Sequence, residues 1–484
     1  MLNTIATYIP PWLWILLVVH LGSLGAVAYM ILLERKVASW AQDRVGPNRT
    51  GLGFGIIPKL KDFHFWGLGQ PLADGLKFFV KEDYRPKNVD KILFTLAPML
   101  MIAVVIVSIA VIPWGGVLQS TIEVPIDRSP DVATSMASAA ANLPWWMPTS
   151  WVQNVVLKER AADVVYRMPF QIADLNIGVL FVIAFLSLAV YGIVVGGWAS
   201  NNKFSFLGGL RATANMISYE IPLGLAILCI VATFGTLSLG ELVDKQLHYW
   251  FGVIPAWNIF THPVAFLLFL ICIHAEANRA PFDIAEAEQE LVGGYHTEYS
   301  SMRFALFFLA EYAGMITTSA VCVALFLGGW HLPWIEWLWR GTQVDPVAHP
   351  SIYSNVFICI LNALVFFGKT MGIIFIFMWT RWSLPRFRFD QIMQLAWRSL
   401  IPISLALLAT TTLVIYCFRG VARVNMQVTD TMAVALLASN VAITVVTLFV
   451  STIIPPAPAT NRRVKVENSR FNPSPVPTAS LKSV

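Results

Sequence analysis

Long apolar runs recur along this 484-residue chain, and they limit its possible folds more than any other feature. Several exceed the roughly 18 residues that suggest a helix crossing a membrane. Charged residues make up 13% of the chain and the mean hydropathy is +0.65, whereas soluble domains carry about 25% charged residues. We therefore predict an all-α polytopic membrane protein.

The apolar runs predict about nine transmembrane helices. Their expected positions are about residues 12–33, 91–113, 172–197, 213–237, 262–275, 303–328, 354–380, 398–418 and 431–454. The first run ends in Glu34-Arg35-Lys36 and not in a small-residue cleavage site, which indicates a retained helix and not a signal peptide. A polar loop is expected at Asn201 to Arg211, between the third and fourth spans.

Lys and Arg predict the orientation, because cytoplasmic loops of membrane proteins are enriched in them. With the N-terminus outside, the inside segments hold 24 Lys and Arg and the outside segments hold eight. The inside segments are 34–91, 198–216, 276–303, 381–398 and the C-terminal tail. This asymmetry accounts for the net charge of +5 without nucleic-acid binding.

One stretch of the first inside loop is amphipathic. From Gln70 to Asp83, apolar residues recur at helical spacing, with charged residues elsewhere; the apolar positions are Leu72, Leu76, Phe79 and Val80. This pattern predicts a short helix lying in the cytoplasmic-side membrane interface, in contact with lipid.

The stretch from His274 to Tyr312 carries an unusual acidic cluster. Between Glu276 and Glu298, Arg279 is the one basic residue among six acids, which are Glu276, Asp283, Glu286, Glu288, Glu290 and Glu298. Repulsion and poor solvation should raise the pKa values of some of them, and neighbouring groups should share protons. A solvated acidic loop is the alternative, but interleaved aromatic residues and glycines favour a packed loop that stores or passes protons.

Three charged residues fall inside the predicted spans: Glu220, Glu311 and Lys369. A charge at the membrane centre costs about 3 kcal/mol on insertion scales, so each is expected to face an interior or a wet cavity. A buried ion pair that only orders the helices is the alternative. Tyr219 and Tyr312 stand beside the two glutamates and could hydrogen-bond to a water or carboxylate of the same path.

The chain lacks a redox-cofactor motif of its own. Its five cysteines are widely spaced, without a CxxC pair or a Cys/His ligand spacing, so we expect no iron–sulfur, zinc or haem c site and no metal. Any electrons must come from partner subunits.

These residues carry a resemblance to a known family. The stretch NRAPFDIAEAEQELVGGYHTEYSSMRFALFFLAEY resembles the family of H-type membrane subunits of bacterial NADH:quinone oxidoreductases, whose mitochondrial counterpart is the ND-one subunit of respiratory complex I. Three further pieces agree: LLERKVASWAQDRVGPNRTG, RATANMISYEIPLG and GKTMGIIFIFMWTRWSLPRFRFDQ. The resemblance covers about residues 12–415, apart from a long outside loop at 115–170.

The resemblance implies a domain organisation. Residues 1–418 would form the membrane domain that resembles the H-type subunits, 419–454 an additional C-terminal transmembrane helix, and 455–484 a cytoplasmic tail. Because that tail is rich in Pro, Ser, Asn and Thr, it is expected to be disordered. A multi-pass location in the bacterial inner membrane is implied, or in the mitochondrial inner membrane for an organellar protein.

The resemblance also implies a function, namely forming part of the quinone tunnel and coupling quinone reduction to proton translocation. Quinone would be the substrate, while FMN and iron–sulfur clusters would belong to partner subunits of the complex. The implied quinone-binding residues are Arg35, Arg44, Asp74, Arg279, Phe282 and Arg381. The implied proton-coupling residues are Tyr219, Glu220, Asp283, Glu286, Glu288, Glu290, Glu298, Glu311, Tyr312 and Lys369.

Two other functions stay open. The membrane subunit of an energy-converting hydrogenase would share the acidic cluster and the membrane glutamates, with less need for a quinone tunnel. A stand-alone proton or sodium transporter would be expected to show inverted repeats and broken helices, and we find no clear internal repeat.

Overall fold

The computed structural model describes residues 11–50, 65–125, 142–144, 147, 152–157, 161–286, 288–334, 352–418 and 428–453. The expected disordered tail at 455–484 lies outside these ranges, as does much of the outside loop at 115–170.

Helices dominate the described residues, which confirms the all-α membrane architecture. The first seven are α1 (Pro11–Ala41), α2 (Gln70–Val80), α3 (Lys91–Ile109), α4 (Gly178–Ala199), α5 (Lys203–Phe234), α6 (Leu239–Asp244) and α7 (Asn258–Thr261). The others are α8 (Pro263–Glu276), α9 (Glu288–Leu291), α10 (Ser301–Phe326), α11 (Ile352–Ser383), α12 (Phe389–Gln394), α13 (Ile401–Cys417) and α14 (Asp430–Ile453). A short π-helical segment, Leu395–Leu400, joins α12 to α13.

The apolar runs correspond to helices at each predicted span. Within the described ranges, eight helices are long and apolar enough to cross a membrane, and α8 is a shorter apolar helix at the fifth predicted position. The prediction of a polar loop at Asn201 to Arg211 was wrong, because α5 already begins at Lys203. Its start is fixed by the Asn202 side chain, which accepts a hydrogen bond from the backbone N–H of Phe204.

The loop at 115–170 contains a three-stranded antiparallel sheet. Its strands are β1 (Val117–Pro125), β2 (Val152–Leu157) and β3 (Ala161–Pro169), in the order β1-β3-β2. In the β1–β3 pair, Val117 lies opposite Pro169 and Pro125 lies opposite Ala161. The sheet therefore stands between α3 and α4, where the sequence predicted only a long loop. A separate pair, β4 (Tyr249–Trp250) and β5 (Ile254–Pro255), lies between α6 and α7.

Helix α10 passes through the centre of the bundle. Its most apolar 18-residue window is 78% buried, whereas the windows of the other long helices are between 22% and 50% buried. Any polar side chain near its middle must therefore find its partners inside the protein. Glu311 and Tyr312 lie on this helix.

The amphipathic helix is confirmed as α2, which ends at Val80, three residues before the predicted end. Its apolar side chains point outward, and Phe79 and Val80 are 72% and 87% exposed. The far end of α2 is attached to the start of α10: the Ser301 hydroxyl lies 2.8 Å from the Phe78 carbonyl oxygen. Just beyond it, the buried Arg303 pairs with Asp83 at 3.1 Å.

The last helix, α14, packs on α13 and on the junction between α7 and α8. Its buried Asn440 donates a side-chain hydrogen bond to the Thr261 carbonyl at 3.2 Å. The junction is a break in the helix at His262, whose backbone is not helical, immediately before Pro263.

Candidate functional site

Five side chains from four segments form a group that we name the central cluster, in which all but the partly exposed Arg381 are buried: Glu34, Arg279, Glu311, Tyr312 and Arg381. The Arg279 guanidinium lies 3.2 Å from Glu311 and 3.8 Å from the Glu34 carboxylate. Glu34 also pairs with Arg381 and accepts a hydrogen bond from the Tyr312 hydroxyl at 2.5 Å. Positive and negative side chains thus alternate where four segments meet, namely α1, the segment after α8, α10 and α11.

Charge balance explains how this cluster is tolerated in an apolar bundle. The side chains of Arg279, Glu34 and Glu311 are only 5–8% exposed, and a buried charge persists only when it is paired. Burial by itself disfavours the charged guanidinium, but the carboxylates of Glu311 and Glu34 outweigh it and raise the pKa of Arg279. The guanidinium also lies over the Tyr312 ring, 4.1 Å from its centroid.

The acidic stretch folds back over the cluster as a packed loop. Asp283 is buried and pairs with Arg386 at 2.8 Å. The Phe282 ring contacts the rings of Tyr219 and Phe387, with centroids 5.4 and 6.0 Å away. The basic segment after α11 therefore lies directly on the acidic loop.

Asp283 is expected to titrate near neutral pH. Burial, together with repulsion from Glu286, raises the pKa of Asp283 to about 6, although the Arg386 charge acts in the opposite direction. Asp283 should therefore gain a proton as pH falls through about 6. Because the folded chain binds this proton more tightly than an unfolded chain, the stability it contributes is lost as pH rises from about 4 to about 6.

Infrared spectroscopy of the carboxyl band in the assembled complex would measure this titration. We expect Asp283→Asn to remove a component with its midpoint near 6, and Arg386→Gln to move that midpoint upward. An unchanged band in Asp283→Asn would contradict the assignment.

A small cavity adjoins the central cluster. Its volume is about 40 Å³ and its wall includes Glu276, Asn278 and Glu311. This space holds one to about three waters, at roughly 10–15 Å³ each. Within the described part of the chain, Asn278 Oδ1 and Glu311 Oε2 are buried without a hydrogen-bond partner, so polar atoms that need water line the cavity. The cavity connects Glu311 with Glu276, at the end of α8.

Glu220 lies beyond Glu276 and is exposed on the outer surface of the chain. The two carboxylates are close enough for their charges to repel. The hydroxyl of Ser187, on α4, donates a hydrogen bond to Glu220. A series of carboxylates thus runs from the central cluster to the surface formed by α4 and α5.

The structure divides the predicted quinone residues between two places. Arg279 and Arg381 lie in the central cluster, with Phe282 in the loop above it. Arg35 and Asp74 form a partly exposed pair at 3.0 Å, which joins the end of α1 to α2. Arg44 is exposed, just beyond the end of α1.

The acids at the end of the loop are spread apart. Glu290 is exposed and pairs with Arg211 of α5 at 2.6 Å. Glu288 begins the four-residue helix α9, whereas Glu286 lies in the preceding turn. Glu286 and Glu290, although four residues apart, therefore do not share one face of a common helix. Charge coupling links Glu286 to Asp283 instead.

Glu298 and Tyr219, two further predicted proton-coupling residues, form hydrogen bonds with neighbouring segments. Glu298 accepts a hydrogen bond from the Asn202 side chain at 2.7 Å, next to the start of α5. The buried Tyr219 hydroxyl donates to the Ile392 carbonyl at 3.0 Å and so connects α5 to α12. The two tyrosines of the prediction thus differ, since Tyr312 contacts a carboxylate and Tyr219 a backbone oxygen.

Lys369 lies apart from the central cluster, at the opposite end of α10. Its ammonium donates to the carbonyls of Leu327, Gly329 and His331 at 2.7, 2.9 and 2.6 Å. It also lies 4.3 Å from the centroid of the Trp257 ring. All three N–H donors of the ammonium are engaged, and they bind backbone carbonyls of the turn that follows α10. Its role in proton coupling stays a prediction.

Sequence reasoning missed Glu34 as a site residue. It stands directly before Arg35 at the polar end of the first apolar run, where a solvated flank is the ordinary expectation. The feature that could have identified Glu34 is the length of α1, because this helix continues to Ala41 and keeps Glu34 inside the bundle. Across the ranges that the structure covers, no group of three or more His, Cys, Asp or Glu side chains is placed to hold a metal ion.

Comparisons with known proteins agree with this architecture. A family model described as NADH dehydrogenase matches residues 14–412. An H-type NADH-quinone oxidoreductase subunit of Cytophaga hutchinsonii is 41% identical, over 79% of this chain and 90% of that protein. The H-type subunits of Flavobacterium psychrophilum and Leptospira biflexa are 39% and 41% identical, over 81% and 78% of this chain and 93% and 87% of theirs.

Proposed function

Since this chain belongs to the family of H-type subunits of NADH-quinone oxidoreductases and is a membrane subunit of such an enzyme, we propose that it helps to bind quinone and to couple its reduction to proton translocation. The observation that carries the proposal is the central cluster, because it joins proposed quinone residues to a cavity with buried polar walls and to membrane carboxylates. The names of the relatives favour this function over a hydrogenase subunit or a stand-alone transporter.

The proposed quinone path begins at α2. A quinone has an apolar tail and a head that becomes anionic or takes protons when it is reduced. The outward apolar face of α2 suits the tail, and the Arg35–Asp74 pair stands beside it. Arg381, which is 27% exposed and paired with Glu34, would meet the head and stabilise its negative charge.

The proposed proton path begins at Glu34 and Glu311. Reduction of the quinone would change the charge beside Arg381 and Arg279, and so the proton affinity of the carboxylates paired with them. Protons would then pass through the cavity waters to Glu276 and on to Glu220. Asp283, whose pKa is raised by burial and by the neighbouring Glu286 charge, would respond to the same event.

Partner subunits are required at both ends of this path. Electrons would come from FMN and iron–sulfur clusters in the other subunits of the complex. A carboxylate facing lipid near the membrane centre costs about 3 kcal/mol, and Glu220 is exposed on this chain alone. We therefore place an adjacent membrane subunit against α4 and α5 near Glu220. The complex would lie in a bacterial inner membrane.

Arg381→Lys tests the quinone part of the proposal. Lysine keeps the charge but loses the planar fork that binds a carboxylate or an anionic oxygen through two N–H groups. We expect a higher quinone KM or a lower kcat, while electron transfer from NADH to an artificial acceptor that needs no quinone site stays normal. Equal losses with both acceptors would indicate a general assembly defect and contradict a role at quinone.

A further inference from the structure

His274 is a buried imidazole to which the proposed function assigns no role. It lies on the last turn of α8, is 4% exposed, and stacks on Phe377 of α11 with ring centroids 3.7 Å apart and planes 5° apart. Helices α8 and α11 therefore meet through this side chain, directly beside the central cluster.

Its hydrogen bonds define the tautomer. His274 Nδ1 lies 2.7 Å from the Leu270 carbonyl oxygen, and a carbonyl can only accept, so Nδ1 carries the hydrogen. In the neutral ring, Nε2 is then an acceptor. It lies 3.1 Å from Thr380 Oγ1, and the single hydroxyl hydrogen of Thr380 is shared between Nε2 and the Phe377 carbonyl oxygen of the same helix, 2.9 Å away. The hydrogen bonds of the ring thus link its own helix to Thr380 of α11.

Thr380 directly precedes Arg381, whose guanidinium pairs with Glu34. The His274 carbonyl also lies 3.4 Å from the backbone nitrogen of Arg279. His274 therefore contacts the backbone of Arg279 directly. Through Thr380, it also contacts the residue that directly precedes Arg381.

We infer that His274 is a positioning residue for quinone reduction: its hydrogen bond to Thr380 fixes the end of α11 so that Arg381 faces Glu34 and the quinone head. This inference rests on the proposed function. A histidine that only filled space would need the stack on Phe377 but not the hydroxyl at Thr380. Removing that hydroxyl therefore separates positioning from packing.

The test is a set of matched variants of the complete complex, with rates normalised to NADH oxidation by the artificial acceptor. Thr380→Val keeps the shape and removes the hydroxyl, and His274→Leu removes the ring partner. We expect each to lower quinone kcat/KM by roughly twofold to tenfold, as for the loss of one hydrogen bond. Thr380→Ser should restore the normal value, and the double variant should be no worse than either single change.

Thr370→Val is the matched control, because Thr370 is a buried threonine of the same helix whose hydroxyl donates only to its own helix, at 2.9 Å. If Thr380→Val behaves like Thr370→Val, or the two single losses add, the inference is overturned.

The Arg381→Lys variant separates the proposed role of Arg381 at quinone from the inferred role of His274. Normal quinone kinetics in Arg381→Lys would defeat the proposed role of Arg381 and this inference with it. Altered kinetics in Arg381→Lys, with normal kinetics in Thr380→Val, would defeat this inference alone.

Discussion

Arg279→Met is expected to prevent normal assembly of the membrane domain. Arg279 is the cation between Glu34 and Glu311, and its side chain is 5% exposed. Methionine approximates its apolar stem but leaves Glu311 as a buried carboxylate without its cation. Breaking a buried ion pair by removing one partner costs about 3–5 kcal/mol, a large part of the stability of an ordinary domain. The measurement is the amount of intact complex in the membrane, compared with wild type.

A charge-balanced double variant distinguishes stability from function. In Arg279→Met/Glu311→Gln, the remaining Glu34 still pairs with Arg381, so assembly should recover substantially. Proton translocation should not recover, because the cavity then adjoins an amide that cannot exchange a proton. Normal assembly of the single Arg279→Met variant would show that the cluster does not depend on this cation.

Glu220→Gln is expected to have the opposite effect, with normal assembly and failed pumping. Glutamine keeps the size and the acceptor oxygen that Ser187 contacts, and removing a charge from a membrane surface should ease insertion. The proposed path would nevertheless end at a group that cannot ionise. NADH-driven quinone reduction and proton uptake should be measured together in closed vesicles. We expect the protons moved per quinone reduced to fall to the level of an uncoupled membrane.

Glu241→Gln supplies the control for this experiment, since Glu241 is exposed on α6 at the other end of the bundle. It should leave the ratio of protons to quinone unchanged. A wild-type ratio in Glu220→Gln would remove Glu220 from the path.

The helices could be predicted from the sequence because a span must satisfy its backbone hydrogen bonds within one continuous apolar segment. The same reasoning failed at Lys203–Arg211, where helix α5 extends past the apolar run. Its polar residues there, such as Arg211, are stabilised by pairing with the acidic loop. The sheet at 115–170 was missed because its Ser- and Ala-rich surroundings carry no alternating pattern.

The central cluster could be predicted only in part. The intramembrane Glu311 and the acidic loop were identified from charge in an apolar setting, and that signal is local. Glu34 carried no such signal, because its partners Tyr312 and Arg381 lie 278 and 347 residues away. Hydropathy places a residue along the membrane normal, but it does not indicate which helices are neighbours.

The contact between Asn440 and Thr261 has a consequence for biogenesis. Helix α8 is about 21 Å long at 1.5 Å per residue, shorter than the roughly 30 Å hydrocarbon layer, and its break at His262 leaves backbone oxygens to be satisfied. The Thr261 oxygen is satisfied by a side chain of α14, which the ribosome synthesises about 180 residues later. The short helix therefore stays incompletely shielded from lipid through most of the translation that follows its own synthesis. The ordering of this half of the membrane domain is thus a late event that follows insertion of α14.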